Sequence, residues 1–436
     1  MGNTASDLES ECASMSQDFY DEEEGNLGYN PKEKVILSPL SSTKAPSSPG
    51  VIEMPQDRTG SFKEYIFDYT IDELEKNLSE IQLDDVIDAV VPEEFGEKKT
   101  KVITPYKPQR IWLWRQWTGT IWQHGYKHCL FMMIYSSGVF AACHYLEDNR
   151  LEGTLVTVAQ GFKYLMTLSF FILTFFLNQS YGLWRDVYNT CRGLQGSTDD
   201  LGMLAATHAA RVDGKYTSEA EDTLNDIAMT VKIFHIFVYA SKSRRFRALQ
   251  TNRALKRMTE RGIISPEICE AIMKSKIFHG DRVFGTIEWL MIKFQAGVDD
   301  GSLKDAGDLF MSHVLDTGLL LRKQFGSFRG TLEARIPLAY AHFVQIMVDT
   351  LLFIAPVALY KDLLAFTIPT VGIMTIFFGG LLDISKVMLD PLDNEDYCDG
   401  VIDINVGVFI RQANYGAIKF KQGAETLPVG WIKKTA

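Results

Sequence analysis

The sequence predicts an all-α membrane protein, with four transmembrane helices per protomer and a large helical cytosolic insert. Three observations carry this prediction. Four segments are apolar enough and about long enough to cross a bilayer, which takes about 20 residues for roughly 30 Å of hydrocarbon. The segments are grouped as two pairs. About 150 residues with helical periodicity separate the pairs, too many for a simple linker.

The four apolar segments lie at about 129–146, 164–184, 336–360 and 363–382. The first two contain no charged side chain, and Asp349 alone interrupts the third. Buried helices of a soluble core would be the alternative, but four such runs in two pairs favour membrane spans. An ionisable residue at that depth is typical of a bundle interior or a water-filled path, so Asp349 leaves an ion-coupled carrier open.

The cytosolic insert is predicted at 186–334. Its apolar residues recur at helical spacing, and no phosphate-binding glycine loop or hydrolase motif occurs in it, so we expect no enzyme. Gly262 followed by Ser265 and Pro266 is typical of a helix stop and a new helix start. The predicted helices lie at 219–240, 243–261, 266–277, 281–295 and 303–329.

Both chain termini have a distinct composition. Residues 1–100 hold 23 acidic and 8 basic side chains, a net charge of −15, which leaves +4 for the remainder of a chain whose total is −11. That balance excludes a generally basic nucleic-acid binder, and we expect no nucleic-acid partner. We predict that 1–100 is a largely disordered tail, although 61–90 has helically spaced apolar residues that favour either a docking helix or a peptide for a partner. We assign 411–436 to a C-terminal tail.

The N-terminal residues carry a possible targeting signal. The chain opens MGNTAS, which matches the pattern for myristoylation of Gly2, and the first thirty residues have no apolar core of a secretory signal. Lysines and arginines flank the predicted spans on the side of the termini and the insert, whereas the loop at 147–153 has one arginine and three acids. The positive-inside rule therefore places both termini on the cytosolic or stromal side.

One face of the second apolar segment suggests a pore. Met166, Phe170 and Thr174 recur at i, i+4 and i+8, so they share a helical face. In an oligomer these residues would form rings around an axis, and apolar rings gate channels by controlling wetting. Cation pores more often have acidic rings, and this segment has no Asp or Glu. Contact with lipid or neighbouring helices is the alternative, so a channel, a non-conducting membrane scaffold and a carrier stay open at this point.

Five motifs in order along some 300 residues resemble the bestrophin family of anion channels. The pair Ser169 and Phe170, with Trp184 downstream, resembles the family's pore-lining helix. The other motifs are WTGTIW at 117–122, GIISPE at 262–267, RIPLAY at 335–340 and DPL at 390–392.

The resemblance implies a homopentamer with a channel domain at 101–410 that conducts chloride and other monovalent anions passively. Bicarbonate is a possible further ion by resemblance to algal members. The hydrophobic neck would be formed by Met166, Phe170 and Thr174. The family has an aromatic residue at the third position, so Thr174 implies a smaller, more polar and more readily wetted ring. Thr167 stands where the family often has proline.

The resemblance also implies a calcium site. Animal members bind Ca²⁺ after the fourth helix, and the corresponding carboxylates are Asp390, Asp393, Glu395 and Asp396. Oxygen ligands of this kind suit Ca²⁺. The acidic stretch is shorter than the animal one, which leaves a solvated acidic turn as the alternative. The motifs look more like those of plant or algal members, which implies a multi-pass protein in contact with lipids of the plasma membrane or the thylakoid membrane.

Overall fold

The computed structural model describes the chain in eight stretches, and all statements below concern these: 70–90, 102–103, 120–145, 149–275, 277–305, 309–393, 402–425 and 427. The described residues are mostly helical, with one two-stranded ribbon. We number the elements in chain order. They are α1 Ile71–Asn77, α2 Glu80–Asp88, α3 Ile121–Tyr145, α4 Asn149–His208, β1 Arg211–Val212, β2 Lys215–Tyr216, α5 Ser218–Ala240, α6 Asn252–Glu260, α7 Pro266–Lys274, α8 Arg282–Asp299, α9 Leu309–Glu333, α10 Leu338–Leu363, α11 Thr367–Met374, α12 Gly380–Val387 and α13 Val406–Gly423.

The buried apolar residues form two separate cores. One core joins α3, α4 and α10 to α12, the helices that contain the four predicted membrane segments. The other joins the C-terminal half of α4 with α5 to α9, α13 and the short helices α1 and α2. Most helices bury one apolar stripe against their neighbours, whereas α5 is buried on all sides from Ile233 to Ala240.

Helix α4 is 60 residues long, far longer than the predicted segment 164–184. Its first half packs on α10, and its second half packs on α9 and α13. By length and composition, Gly153–His208 and Leu338–Val387 are apolar enough to cross a membrane. A core helix of a soluble protein also meets this criterion, but only 17% of the apolar window in the first stretch is buried.

The third and fourth predicted segments form a tight helical pair. Only Leu364–Phe366 separates α10 from α11, and Leu364 turns the chain with a φ of 47°. A π-helical turn at Thr375–Gly379 then leads into α12. Helix α3 approaches this pair closely at two glycines: a Cβ at Gly372 would lie 2.9 Å from Met133 Sδ, and one at Gly380 would lie 2.5 Å from Ile121 Cγ2. Small residues allow such close helix packing in membranes.

The insert follows the predicted helices except at one place. Gly262, with a φ of +69°, ends α6, and the Ser265 hydroxyl caps α7 with Pro266 in its first turn, so the predicted stop and start are confirmed. The predicted helix at 243–261 is wrong in its first half, where turns and a short 3₁₀ helix precede α6. The reason is tertiary: the Ser243 hydroxyl and the Arg244 N–H donate to the Asp393 carboxylate.

Three helices lie in or across the regions predicted as tails. Helices α1 and α2 fold within 1–100 and bury Leu74, Val86 and Ile87 in the second core; other parts of that tail, Gly2 included, lie outside the described residues. Helix α13 crosses the predicted boundary at residue 410 and buries Phe409 and Ile410. The Trp184 indole N–H donates to the Ile402 carbonyl over 2.7 Å, which ties α4 to the segment before α13.

Candidate functional site: the exposed face of helix α4

The three residues predicted to form a neck lie on one exposed face of α4. The exposed fractions are 37% for Met166 and 59% for Phe170, and Thr174 is exposed as well. The adjacent face buries Leu173 and Phe176 against α10, with the Phe176 and Tyr340 rings 5.6 Å apart. The apolar packing of α4 within its own chain therefore leaves the predicted neck face uncovered.

The Thr174 side chain presents less polarity to the exposed face than a free hydroxyl group would. Its hydroxyl donates to the Phe170 carbonyl oxygen of its own helix over 2.8 Å. The proton is thus used inside the helix, as is usual for a threonine bonded one turn back. The side chain presents a methyl group and oxygen lone pairs to the exposed face. It is smaller than the aromatic residue expected there, as predicted, but it is not a free hydrogen-bond donor.

Lys163 is a residue on this face that the sequence analysis missed. It is exposed and lies seven residues, or about two turns, before Phe170, so it shares the face with Phe170 and Thr174. It forms no ion pair with any residue that the structure describes. Its i, i+7 spacing to Phe170 is visible in the sequence. It was missed because only apolar residues were considered for this face. The face therefore carries one positive charge at the end of its apolar stripe.

Asp390, the first residue of the predicted calcium site, is engaged by two arginines. Arg244 Nη2 lies 2.7 Å from its Oδ2, and Arg335 Nη2 lies 3.2 Å from its Oδ1. Arg335 directly precedes α10, and Arg244 follows α5. Asp390 therefore ties the end of the fourth predicted segment to the start of the third and to the insert.

Asp393 is a buried carboxylate, with 8% of its surface exposed. It accepts the Ser243 hydroxyl over 2.6 Å, the Arg244 N–H over 2.8 Å and the Arg245 N–H over 3.5 Å. Burial raises the pKa of the Asp393 carboxyl above its usual range, an effect larger than the lowering by these hydrogen bonds. Asp393 thus works as the acceptor that shapes the turn after α5.

The described carboxylates do not form a calcium cage by themselves. Ca²⁺ takes six to eight oxygen ligands. Within the stretches that the structure describes, no group of three or more His, Cys, Asp or Glu side chains could hold a metal ion. Glu395 and Asp396 lie outside the described residues. Calcium binding stays a prediction that depends on them.

Asp349 lies in the middle of α10 and belongs to a short polar chain. The Gln345 side-chain Nε2 donates to Asp349 Oδ2 over 2.5 Å. Lys386 Nζ of α12 donates to the Gln345 side-chain oxygen, Oε1. The amide thus bridges a cation and a carboxylate across α10 and α12. Asp349 and Lys386 are both exposed in the single chain, so these contacts do not bury either charge.

Comparison with known proteins gives one family and one fold. A family model described as "Bestrophin, RFP-TM, chloride channel" matches residues 107–413. Two crystal structures of a bacterial bestrophin homologue from Klebsiella pneumoniae, one of a variant and one phased with zinc, are 14% identical with TM-scores of 0.53 and 0.52. The matches cover 68% and 69% of this chain and 98% of each bacterial chain.

A third crystal structure, described as a membrane protein variant, is 15% identical with a TM-score of 0.54 over 67% of this chain and 97% of its own. Identities this low show a shared fold and nothing more specific. No curated protein matches the chain.

Proposed function

Because the family model matches more than half of it, the chain belongs to the bestrophin family, and we propose that it is a passive channel for chloride and other monovalent anions. The observation that carries the proposal is the exposed stripe of Met166, Phe170 and Thr174 on α4. An apolar face of this kind, uncovered within its own chain and free of acidic residues, suits the wall of an anion pore better than that of a cation pore. Conduction needs no chemical step, so we expect no enzymatic activity.

The proposal includes a homopentamer, with one copy of the α4 stripe from each protomer around a central axis. Lys163 would then supply a positive charge at one end of each stripe and raise the local anion concentration. Bicarbonate is proposed as a further permeant ion. The family is membrane-integral; the plasma membrane or the thylakoid membrane, with both termini on the cytosolic or stromal side, is the proposed location, and Gly2 is the proposed acylation site.

The direct test is reconstitution of the purified protein in planar bilayers under a chloride gradient. We expect a reversal potential close to the chloride equilibrium potential. A reversal potential at the cation limit would contradict anion selectivity, and absence of current would favour a membrane scaffold. A current that depends on Asp349 and saturates as coupled transport would favour the carrier. The mass of the detergent-solubilised particle tests the pentamer in the same preparation.

Thr174→Phe tests the neck. The aromatic side chain enlarges the ring at this position and removes the internally bonded hydroxyl, so we expect a lower open probability or conductance, because narrower apolar constrictions dewet more readily. Leu168→Phe, at an exposed position about 120° around the helix from Thr174, is the control. Equal effects of the two substitutions, or none from Thr174→Phe, would contradict the assignment of the neck.

A further inference from the structure

The segment formed by α1 and α2, residues 70–90, is a strongly acidic helix pair that precedes the family-matched region, which begins at residue 107. It contains seven acidic residues and one lysine, a net charge of −6. The matches to bacterial structures cover 97–98% of those chains with 67–69% of this one. The family-matched region therefore does not include this segment.

Helix α1 binds the N-terminal end of α6. The Glu75 carboxylate accepts the backbone N–H of Asn252 over 2.7 Å and that of Arg253 over 3.2 Å. In return, Arg253 Nη1 donates to the carbonyl oxygens of Glu75 and Leu78 over 3.2 and 2.9 Å. A carboxylate at this position satisfies N–H groups that have no partner inside a helix and interacts favourably with the helix dipole.

Helix α2 binds the basic face of α6 through ion pairs. Arg257 contacts Asp84 with two nitrogens, over 3.0 and 3.2 Å, in the two-point geometry that guanidinium and carboxylate favour. Arg261 contacts Asp84 over 2.8 Å and Asp88 over 2.5 Å. The Arg257 guanidinium lowers the pKa of the Asp84 carboxyl, with a smaller contribution from Arg261.

An apolar strip beneath these ion pairs completes the contact. The six buried residues of the segment recur at helical spacing: Leu74, Leu78, Leu83, Val86, Ile87 and Val90. At the end of the strip, Arg411 and Asn414 of α13 donate to the carbonyl oxygens of Ala89 and Val90 over 3.3 and 3.4 Å. Without the segment, the body would expose an apolar patch rimmed by arginines, which is the signature of a binding site.

The two helices also cap their own N-termini. Thr70 pairs reciprocally with Glu73, and Ser79 pairs reciprocally with Gln82, each in a capping box. These bonds lie wholly within the segment and favour the start of each helix. Such a segment is suited to bind as a unit.

We propose that the surface formed by α6 and the middle of α13 is a binding site for an acidic amphipathic helix pair, and that residues 70–90 occupy it as an exchangeable intramolecular ligand. Residues 91–119 tether this ligand to α3, the helix of the first predicted span. Docking therefore links the insert to the membrane entry of the chain, and release exposes a basic and apolar surface.

The test uses the full chain with a protease site inserted between residues 91 and 101. After cleavage, we expect the segment to dissociate on dilution from a body that stays folded and oligomeric. A fluorescent peptide of residues 70–90 should then bind the washed body with a saturable anisotropy change. Arg257→Glu with Arg261→Glu in the body should weaken this binding at least tenfold.

A matched pair of peptides makes the test specific. Asp84→Lys and Asp85→Lys introduce the same charge change at adjacent positions, but Asp85 is exposed and forms no ion pair within the described stretches. We expect Asp84→Lys to weaken binding at least tenfold and Asp85→Lys less than threefold, and the Arg257→Glu body to recover part of the affinity for the Asp84→Lys peptide. No readout depends on conduction, so a failure of this proposal is distinguishable from a failure of the channel assignment.

Three results would overturn the proposal. Unfolding or aggregation of the body after release would show that the segment is an integral part of the core. Equal loss of affinity for the two peptides would show attraction by net charge alone. Vesicle binding that increases when the segment is released, together with no saturable binding of the 70–90 peptide, would assign the basic surface to a phosphatidylserine membrane instead.

Discussion

Replacing Asp393 tests whether this carboxylate shapes the turn after α5, as the hydrogen bonds indicate, or serves calcium. Asp393→Ala removes the acceptor of the Ser243 hydroxyl at 2.6 Å and of the Arg244 N–H at 2.8 Å. Each hydrogen bond to a charged acceptor contributes about 1.5–3 kcal/mol. Removing the buried carboxylate also relieves its desolvation, so we expect a net loss of about 2–4 kcal/mol.

The assay is thermal unfolding of the purified full-length protein in EGTA and in Ca²⁺. At about 2 °C per kcal/mol, the low end of the range for large domains, Asp393→Ala should lower the unfolding midpoint by about 4–8 °C in both buffers. Asp393→Asn should lower it less, because the amide oxygen still accepts the Arg244 N–H while its NH₂ donates to Ser243. Asp222→Asn, at an exposed position of α5, is the control and should change nothing.

A loss of stability that appears only in Ca²⁺ would refute this reasoning, because a structural acceptor acts whether or not the ion is present. That outcome would instead place Asp393 in the metal shell. Equal effects of the alanine and asparagine variants would also contradict the role of the Arg244 hydrogen bond.

Three further predictions follow from contacts described above. Burial raises the pKa of the Asp393 carboxyl, so the folded protein binds a proton there more tightly than the unfolded chain does. The stability of the wild type relative to Asp393→Asn should therefore increase as pH falls from neutral, and it should level off below about pH 3.9. A stability difference that does not vary with pH would contradict this prediction. Gly380→Ala should destabilise by about 1–3 kcal/mol in thermal unfolding because the added Cβ would lie 2.5 Å from Ile121 Cγ2, and Ile121→Ala should restore stability, whereas Gly161→Ala, with open space around it, should be neutral. Lys163→Gln should reduce single-channel anion conductance about twofold or more at low ionic strength and less at high salt, with Lys163→Arg retaining it; equal conductance of the glutamine variant would remove Lys163 from the pathway.

The sequence was informative wherever a signal was local. Apolar length predicted helices at all four segments, the i, i+4, i+8 spacing predicted the shared face of Met166, Phe170 and Thr174, and glycine and proline marked the boundary between α6 and α7. These signals work because backbone geometry and helix period act over a few residues.

Contacts between distant residues were beyond the reach of the sequence. The first half of the predicted helix at 243–261 is absent because Asp393, 150 residues from Ser243, takes its hydrogen bonds. Helix α4 continues past the second apolar segment to His208. This second part is too polar to be predicted as an extension of an apolar segment, and its packing on α9 and α13 stabilises it. The capping boxes of α1 and α2 are local sequence patterns, whereas Arg257, which pairs with Asp84, lies 173 residues away in the sequence.

The continuity of α4 has a mechanical consequence. From Phe170 to His208 the helix spans about 57 Å at 1.5 Å per residue, and its 60 residues contain no proline, the usual cause of a sharp kink. The helix can therefore act as a lever whose two arms end in the predicted membrane region and in the insert. A tilt of one degree about the His208 end displaces the Phe170 face by about 1 Å. Small rearrangements among α9, α13 and their neighbours would thus reach the exposed face of α4 directly.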